Sequence, residues 1–471
     1  MAEQHSSQAS IIKCILSNAS GSKEQILGGD MIVSFTVHES ILSPFMAANL
    51  IISDSAGLLN SFPIQGGENI QFELKTTFDD APIKYKFKVY KISGRIVKNK
   101  RQAYMLGLVS EEALINETLR VQSHLTGNPQ AIIKKLLGTE YIKSGKEFFS
   151  EPSRFEVKLN ANRSRPFDVI AKLITKSVSS KTNYSGNASS NDNETAQQIK
   201  GSAGFFFWET KRGYNLFSID ALCDEKDGKY AAPDLQSEAW GPYLEGTANT
   251  EISGDQRFLI SNVLFSSEVD LMTSLRKGKY SSLMVFFNHS TGEYEEYVYK
   301  IKDSYDSMAH LGGQESISLV PVNQIELSDY PTRIMSMVLD HEAWYNEPGI
   351  ANPEDEQAQD PNKFADWQKY YAAQSTARTE LLNNQEATLT IPGNPLICAG
   401  DKIDIRLQNK ISDAVKDRNP YDEESSGVYL VKETTQSYNF LEGTTGTLKT
   451  TLRLFRDSYG MKDKPSNRGN K

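Results

Sequence analysis

Four acidic pairs are the residues here whose type and spacing could do acid–base chemistry: Asp79-Asp80, Glu111-Glu112, Glu295-Glu296 and Glu423-Glu424. A glycoside hydrolase works with two carboxyl groups, one protonating the leaving oxygen and one activating water or attacking the sugar. Each of these pairs, however, sits in a stretch that reads as a turn or a solvated face. A carbohydrate-cleaving enzyme is therefore the weakest of the function classes the sequence allows. His341-Glu342 opens like a zinc-protease helix but no second histidine follows at the required spacing. Phosphate-cradling glycine loops, dinucleotide fingerprints, nucleophile elbows and calcium loops are all missing. The three cysteines, Cys14, Cys223 and Cys398, lie far apart and read as buried thiols, and the six histidines are scattered. The expectation is a chain with no catalytic residue, no cofactor and no metal, and one that is not an enzyme.

Composition narrows the class further. The chain has 471 residues, 38% of them apolar and 24% charged, which suits a folded globular protein of about three average domains. No apolar run approaches the ~18 residues of a membrane-spanning helix, so no membrane insertion is expected. The polar start, "MAEQHSSQAS", lacks the features of a secretory signal, so a cytoplasmic site of synthesis and assembly is expected. With 51 basic and 60 acidic side chains the net charge is -9. That balance disfavours wrapping of nucleic acid but is compatible with DNA passing an acidic wall.

The elements that would position any functional group are mostly strands. From Ile11 to about Ser110 the pattern has period two, as in "MIVSFTVHES" and "YKFKVYKISGRIV", the mark of an antiparallel β unit. Helical spacing follows in "SEEALINETL" and in "NPQAIIKKLLGTEYI", which Gly138 is placed to end. A third helix is predicted in "RPFDVIAKLITKSV", with Pro166 early and Phe167, Ile170, Leu173 and Ile174 on one face. Residues 177–203 are rich in Ser, Asn and Gly and read as a mobile loop. "GFFFWETKRGYNLFSID" then predicts a packed hairpin around Lys211-Arg212-Gly213. Strand patterning returns over "NVLFSSEVDLMTSLRKGKYSSLMVFFNHSTGEYEEYVYKI" and again from Glu386 to Arg456. Between these lies a helix that Asp360 would cap and Pro361 would start, with Phe364, Trp367 and Tyr371 on one face. That stripe suits core packing or, alternatively, a partner interface.

One pattern occurs twice. "GGENIQFELK" around Gly67 and Glu68 matches "AGDKIDIRLQ" around Gly400 and Asp401. Ile70, Phe72 and Leu74 alternate in the first copy as Ile403, Ile405 and Leu407 do in the second, so each copy predicts a half-buried strand entered from a glycine-acid corner. Two further strands follow each copy, the last carrying Leu106 and Leu108 in one and Leu452 and Leu454 in the other. The glycine and acid are read as structural corner residues. Two equivalent β units per chain would let three chains present six similar surfaces in a ring.

The stretch from Phe35 to Leu74 resembles the first barrel of the central baseplate hub proteins of contractile-tailed bacteriophages. Glu39-Ser40-Ile41-Leu42-Ser43-Pro44, Asp54, Leu58-Leu59-Asn60, Pro63-Ile64 and Gly66-Gly67-Glu68 carry that likeness. The C-terminal part is similar to the same family's second barrel through Pro392-Gly393-Asn394, Ala399-Gly400-Asp401, Ser426 to Val431 and Arg456-Asp457-Ser458. The middle of the chain does not align.

The resemblance implies an α+β, mainly β fold: two tube-protein-like antiparallel β-barrel domains per chain, with α-helical and mixed inserts. The expected division is 1–112 for the first barrel, 113–250 for an α/β insert, 251–341 with 385–458 for a split second barrel, 342–384 for a helical insert and 459–471 for a flexible tail. It further implies a homotrimeric, pseudo-sixfold ring in the virion's tail baseplate that adapts the sixfold tail tube to the threefold central spike. Its partners would be itself, the tail tube protein, the central spike protein and other baseplate proteins, with DNA passing the channel without specific binding. A hub of a non-viral contractile injection system is the nearest alternative.

Overall fold

The computed structural model describes residues 7–76, 82–99, 101–180, 185–187, 198–224, 239–245, 258–313, 321–322, 325–341, 343–345, 367–410, 421–442 and 445–461. The first β unit contains β1 (Gln8–Ser17), β2 (Glu24–Ile26), β3 (Ile32–Ser40), β4 (Ala47–Asp54), the single turn α1 (Leu58–Ser61), β5 (Asn69–Thr76), β6 (Ile83–Lys98) and β7 (Arg101–Val109). The middle begins with α2 (Glu111–Thr118), β8 (His124–Gly127), α3 (Pro129–Leu137), β9 (Phe148–Ser150), β10 (Val157–Asn160) and α4 (Pro166–Ile174). It continues through β11 (Ser185–Asn187), β12 (Gln198–Lys200), β13 (Phe205–Thr210), β14 (Gly213–Ser218), α5 (Ile219–Cys223), β15 (Trp240–Leu244), β16 (Asn262–Ser267) and α6 (Leu271–Arg276). The remainder is β17 (Ser281–Asn288), β18 (Glu293–Lys300), β19 (Arg333–Val338), α7 (Trp367–Leu382), β20 (Gln385–Pro392), β21 (Lys402–Arg406), β22 (Gly427–Glu442) and β23 (Thr445–Arg456). The fold is α+β and mainly β.

Local chemistry sets most of these boundaries. Pro129 and Pro166 occupy the first turns of α3 and α4, where a missing N–H costs nothing, and Gly138 ends α3. In α4, Phe167, Ile170 and Leu173 are buried, as the spacing predicts. In β5, residues alternate in burial, with Ile70, Phe72 and Leu74 inside.

Thirteen strands form one sheet. Antiparallel ladders run β22-β3-β4-β7-β6-β5-β1-β23 and lead back to β22. The second unit has the order β16-β20-β23-β22-β21-β15. Its two ends, next to β15 and β16, meet in a single parallel bridge between Leu244 and Leu259, and the large sheet stays open there. The two expected barrels are thus not separate bodies. The hairpin β22–β23 belongs to both: Gly427 to Leu430 pair with β21, and Glu433 to Asn439 pair with β3.

The core follows the same division. Phe35 stacks on Phe72 with ring centroids 4.2 Å apart, and Tyr438 from the shared hairpin lies 6.0 Å from Phe35. Tyr438, Phe440 and Leu448 are therefore core residues of the first unit although they come from the end of the chain. Residues 1–112 do not close a core alone. Further along the shared hairpin, Ile391, Ile403, Ile405, Tyr429, Leu452 and Leu454 build a second core.

Among the described residues of the stretch 251–341, expected in the second unit, β16 is the strand that joins the large sheet. Strands β17, β18 and β19 form their own sheet in the order β18-β17-β19. Met284, Phe286 and Tyr299 of that sheet pack with Tyr370, Tyr371 and Ala377 of α7, and with Ile133, Phe155 and Ile170 of the 113–250 region, in one continuous core. A period-two pattern identifies a strand but not the sheet that takes it. Of the stretch 342–384, Ala343, Trp344 and the buried face of α7 belong to that mixed core, while 342 and 346–366 lie outside the described residues. β15, from the region expected as an insert, pairs in parallel with β21 of the large sheet. Within 177–203, Val178 bridges Ala203 and β11 pairs with β12, while 181–184 and 188–197 lie outside the described residues. Of the tail, Tyr459 and Met461 are buried, and 462–471 lie outside the described residues.

Candidate functional site

The two glycine-acid corners are built alike. Gly67 and Gly400 both have φ +92, a left-handed conformation that favours glycine. The amide of Gly67 donates to Val89 O at 2.8 Å, and Val89 N donates back to Glu68 O at 2.9 Å. In the second corner Gly400 N donates to Val431 O and Val431 N to Asp401 O, each at 2.8 Å. The acids complete each corner: Glu68 accepts from Gln65 N at 2.7 Å, and Asp401 accepts from Cys398 N at 3.0 Å, three residues back in both cases. Even the irregularities match, since a bulge follows Val89 in β6 and Val431 in β22.

The surroundings of the corners differ. Glu68 serves its own loop, whereas Asp401 also takes Arg212 Nη1 at 2.8 Å, Arg212 Nη2 at 3.1 Å and Trp240 Nε1 at 3.0 Å. The turn between β13 and β14 grips this corner. Trp208 Nε1 donates to Ala399 O at 2.9 Å, and a Cβ on Gly400 would sit 2.5 Å from the Trp208 ring. Glu39 links the same corner to the first unit, accepting from Lys211 N at 3.0 Å and Ala399 N at 3.2 Å. Burial raises the Glu39 pKa despite those amides and the nearby Lys211 and Arg212. Phe205, Phe207 and Trp208 are buried and form a packed hairpin with β14.

A second buried group of charges sits where α7 meets the end of β23. Arg378 donates from Nη1 to Asp457 Oδ2 at 2.7 Å and from Nη2 to Asp220 Oδ1 at 2.9 Å. His310 Nδ1 lies 2.7 Å from Asp457 Oδ2, and Leu311 N donates to Asp457 Oδ1 at 3.0 Å. Burial alone would raise the Asp457 pKa, but His310 and Arg378 hold it far below the ordinary carboxylate range. Next to it Arg456 donates to Gln385 Oε1 at 2.7 Å and Ser426 O at 3.1 Å, and lies over the Tyr429 ring at 4.3 Å. These contacts tie α5, α7, β22 and β23 together, while Arg378 Nε and Asp220 Oδ2 stay buried without a hydrogen bond.

The acidic pairs among the described residues do not converge in this way. Glu111 and Glu112 open α2, where Glu112 is paired with Lys146 at 2.6 Å and Glu111 with Lys88 at 3.2 Å. Glu295 and Glu296 lie on β18, with Glu295 paired to Lys369, and Glu423 and Glu424 precede β22. Asp79-Asp80 lies outside the described residues. Among the described residues no three His, Cys, Asp or Glu side chains gather as metal ligands, and no helix is long and apolar enough to cross a membrane. All three cysteines are free and buried.

Of the aromatic stripe, Phe364 lies outside the described residues. Tyr371 is buried and meets Trp344 edge-on with centroids 5.3 Å apart. Trp367 packs 5.6 Å from Phe155. As a partner interface the stripe is corrected for Tyr371, which is used up within its own chain. Arg378 does not stand out in the sequence, and Glu39 stands out there only through the family likeness. One signal for Arg378 exists in the helix: Gln374 and Arg378 stand one residue after Ala373 and Ala377, on the stripe that turns inward.

No protein-family model matches the chain, and no curated protein matches it by sequence. Its structure is similar to the tail protein from Neisseria meningitidis MC58, at 11% identity over 95% of this chain and 96% of that one, TM-score 0.49. It is also similar to the 43 kDa tail protein of prophage MuSo2 from Shewanella oneidensis, at 9% identity over 94% and 98% of the two chains, TM-score 0.44. A third similarity is to the lidded Francisella PdpA-VgrG complex, at 9% identity over 97% of this chain and 53% of that one, TM-score 0.43.

Proposed function

We propose that the chain is a structural subunit of the baseplate hub in a contractile phage tail, a part of the virion assembled in the host cytoplasm. Three copies form a pseudo-sixfold ring that meets the sixfold tail tube on one side and the threefold central spike on the other. Other baseplate proteins dock on its outside, and DNA passes through its channel without specific binding. The observation that carries this reading is the duplication. The strand order β3-β4-β7-β6-β5 recurs as β16-β20-β23-β22-β21, with the same corner hydrogen bonds. A chain holding two equivalent β units lets three copies match six partners on one face and three on the other. The buried charges tie strands together and are not grouped around an open cleft, which fits a structural part. The test is the mass of the purified protein by light scattering. Three copies are expected, and a monomer at the highest accessible concentration overturns the ring. Reconstruction of the particle would then place three copies on the tail axis.

A further inference from the structure

Two ladders join the β units within the chain, β22 with β3 and β23 with β1, and the first of them specifies a further junction. Within the chain, the outer edge of β22 pairs antiparallel with β3, so that Ser437 faces Thr36 and Tyr438 faces Phe35. The matching ladders superimpose one unit on the other, since Thr434 pairs with Leu452 in β22–β23 as Ile92 pairs with Leu106 in β6–β7. Beyond the extra residue that bulges β6 between Ser93 and Ile96, the positions of Ser437 and Tyr438 are taken by Ile96 and Val97. On the other side, Phe35 and Thr36 pair with Leu50 and Asn49 as Val263 and Leu264 pair with Leu389 and Thr388.

The counterpart edges are both open. Among the described residues, β6 beyond Lys88 pairs only with β7, and β16 pairs only with β20. Each exposes apolar side chains: Ile96 at 67%, Val97 at 65% and Leu264 at 62%. An exposed apolar strand edge is a template for another strand.

We infer that β6 of one copy pairs antiparallel with β16 of the next, in the register that sets Ile96 opposite Leu264 and Val97 opposite Val263. The occupant of each edge is a second copy of this chain, because donor and acceptor edges sit on the same molecule and the molecule already holds the same junction internally. The contact is heterologous, using two different edges, so it repeats from copy to copy until a ring closes. It rests on the ring assembly proposed above and specifies the strands that make it.

The test is the full chain carrying Ile96→Cys and Leu264→Cys together, treated with a short bifunctional thiol reagent. The native cysteines are buried and do not compete. Directly opposed residues have Cβ atoms about 5 Å apart, so covalent trimers are expected from the double variant. A mixture of the two single variants should stop at the dimer. Circular dichroism checks that the exposed substitutions leave the fold intact. A trimeric mass with no crosslink overturns the pairing and leaves the ring standing. A ladder running past three copies supports the pairing and overturns the closed trimer. A monomer by light scattering overturns both. As an independent arm, Ile96→Lys is expected to weaken self-association at least tenfold without changing the monomer's circular dichroism, and an unchanged trimer overturns the pairing.

Discussion

Gly67 and Gly400 allow backbone strain and crowding to be separated, because they share φ +92 but not their surroundings. A Cβ on Gly67 would meet nothing within 4 Å, whereas one on Gly400 would lie 2.5 Å from Trp208 Cζ2 and 3.1 Å from Cε2. Trp208 cannot step aside cheaply: it is 1% exposed and its indole N–H holds Ala399 O. Gly67→Ala should therefore cost only the left-handed strain, about 1–2 kcal/mol. Gly400→Ala should carry the same strain plus overpacking of roughly 1–3 kcal/mol. Urea denaturation followed by circular dichroism at matched protein concentration measures both. The expected result is that Gly400→Ala is less stable than Gly67→Ala by that second amount, and that Gly400→Val is worse again. Equal losses at the two sites would refute the crowding, and a near-zero loss at both would refute the strain.

Three further outcomes are expected. Arg378→Leu leaves Asp220 buried without its cation and Asp457 with His310 but not the guanidinium, and should cost about 3–5 kcal/mol at pH 7; urea denaturation measures the loss, and an unchanged midpoint would contradict it. Burial pushes the Glu151 carboxyl up to about 7 from 4.5, so its favourable neutral form is present below 4.5 and is lost as pH rises through 7. Wild type should lose roughly 3 kcal/mol relative to Glu151→Gln between pH 4.5 and 8, and parallel pH–stability curves would contradict this. Tyr438→Ala should cost about 3–5 kcal/mol and lower hydrogen-exchange protection in β3 and β5, whose Phe35 and Phe72 it packs beside.

The sequence was legible where a single element carries the information. The corners at Gly67 and Gly400 could be read because a glycine, an acid and alternating apolar residues all lie within ten positions. The helix at Pro166 and the hairpin around Arg212 were equally local. What could not be read was allocation. β17 and β18 have the same grammar as β16, yet they leave the large sheet, and their buried Met284, Phe286 and Tyr299 share a core with the tyrosines of α7. Nothing local to Tyr438 says that it belongs to the core of a unit that begins at the other end of the chain. Arg456-Asp457-Ser458 was visible as a motif, but its use appears only when Arg378, His310 and Gln385 are brought beside it.

The shared hairpin has a kinetic consequence. His38 and Thr435, side by side across β3 and β22, are 397 positions apart. Contacts so distant in sequence make for slow folding, since the loop must close before the contact stabilises anything. During synthesis β3 and β1 are made early and must wait with unpaired edges until β22 and β23 leave the ribosome. A chain interrupted before that point keeps its first unit incomplete, so an unfinished product cannot offer a finished surface to its neighbours.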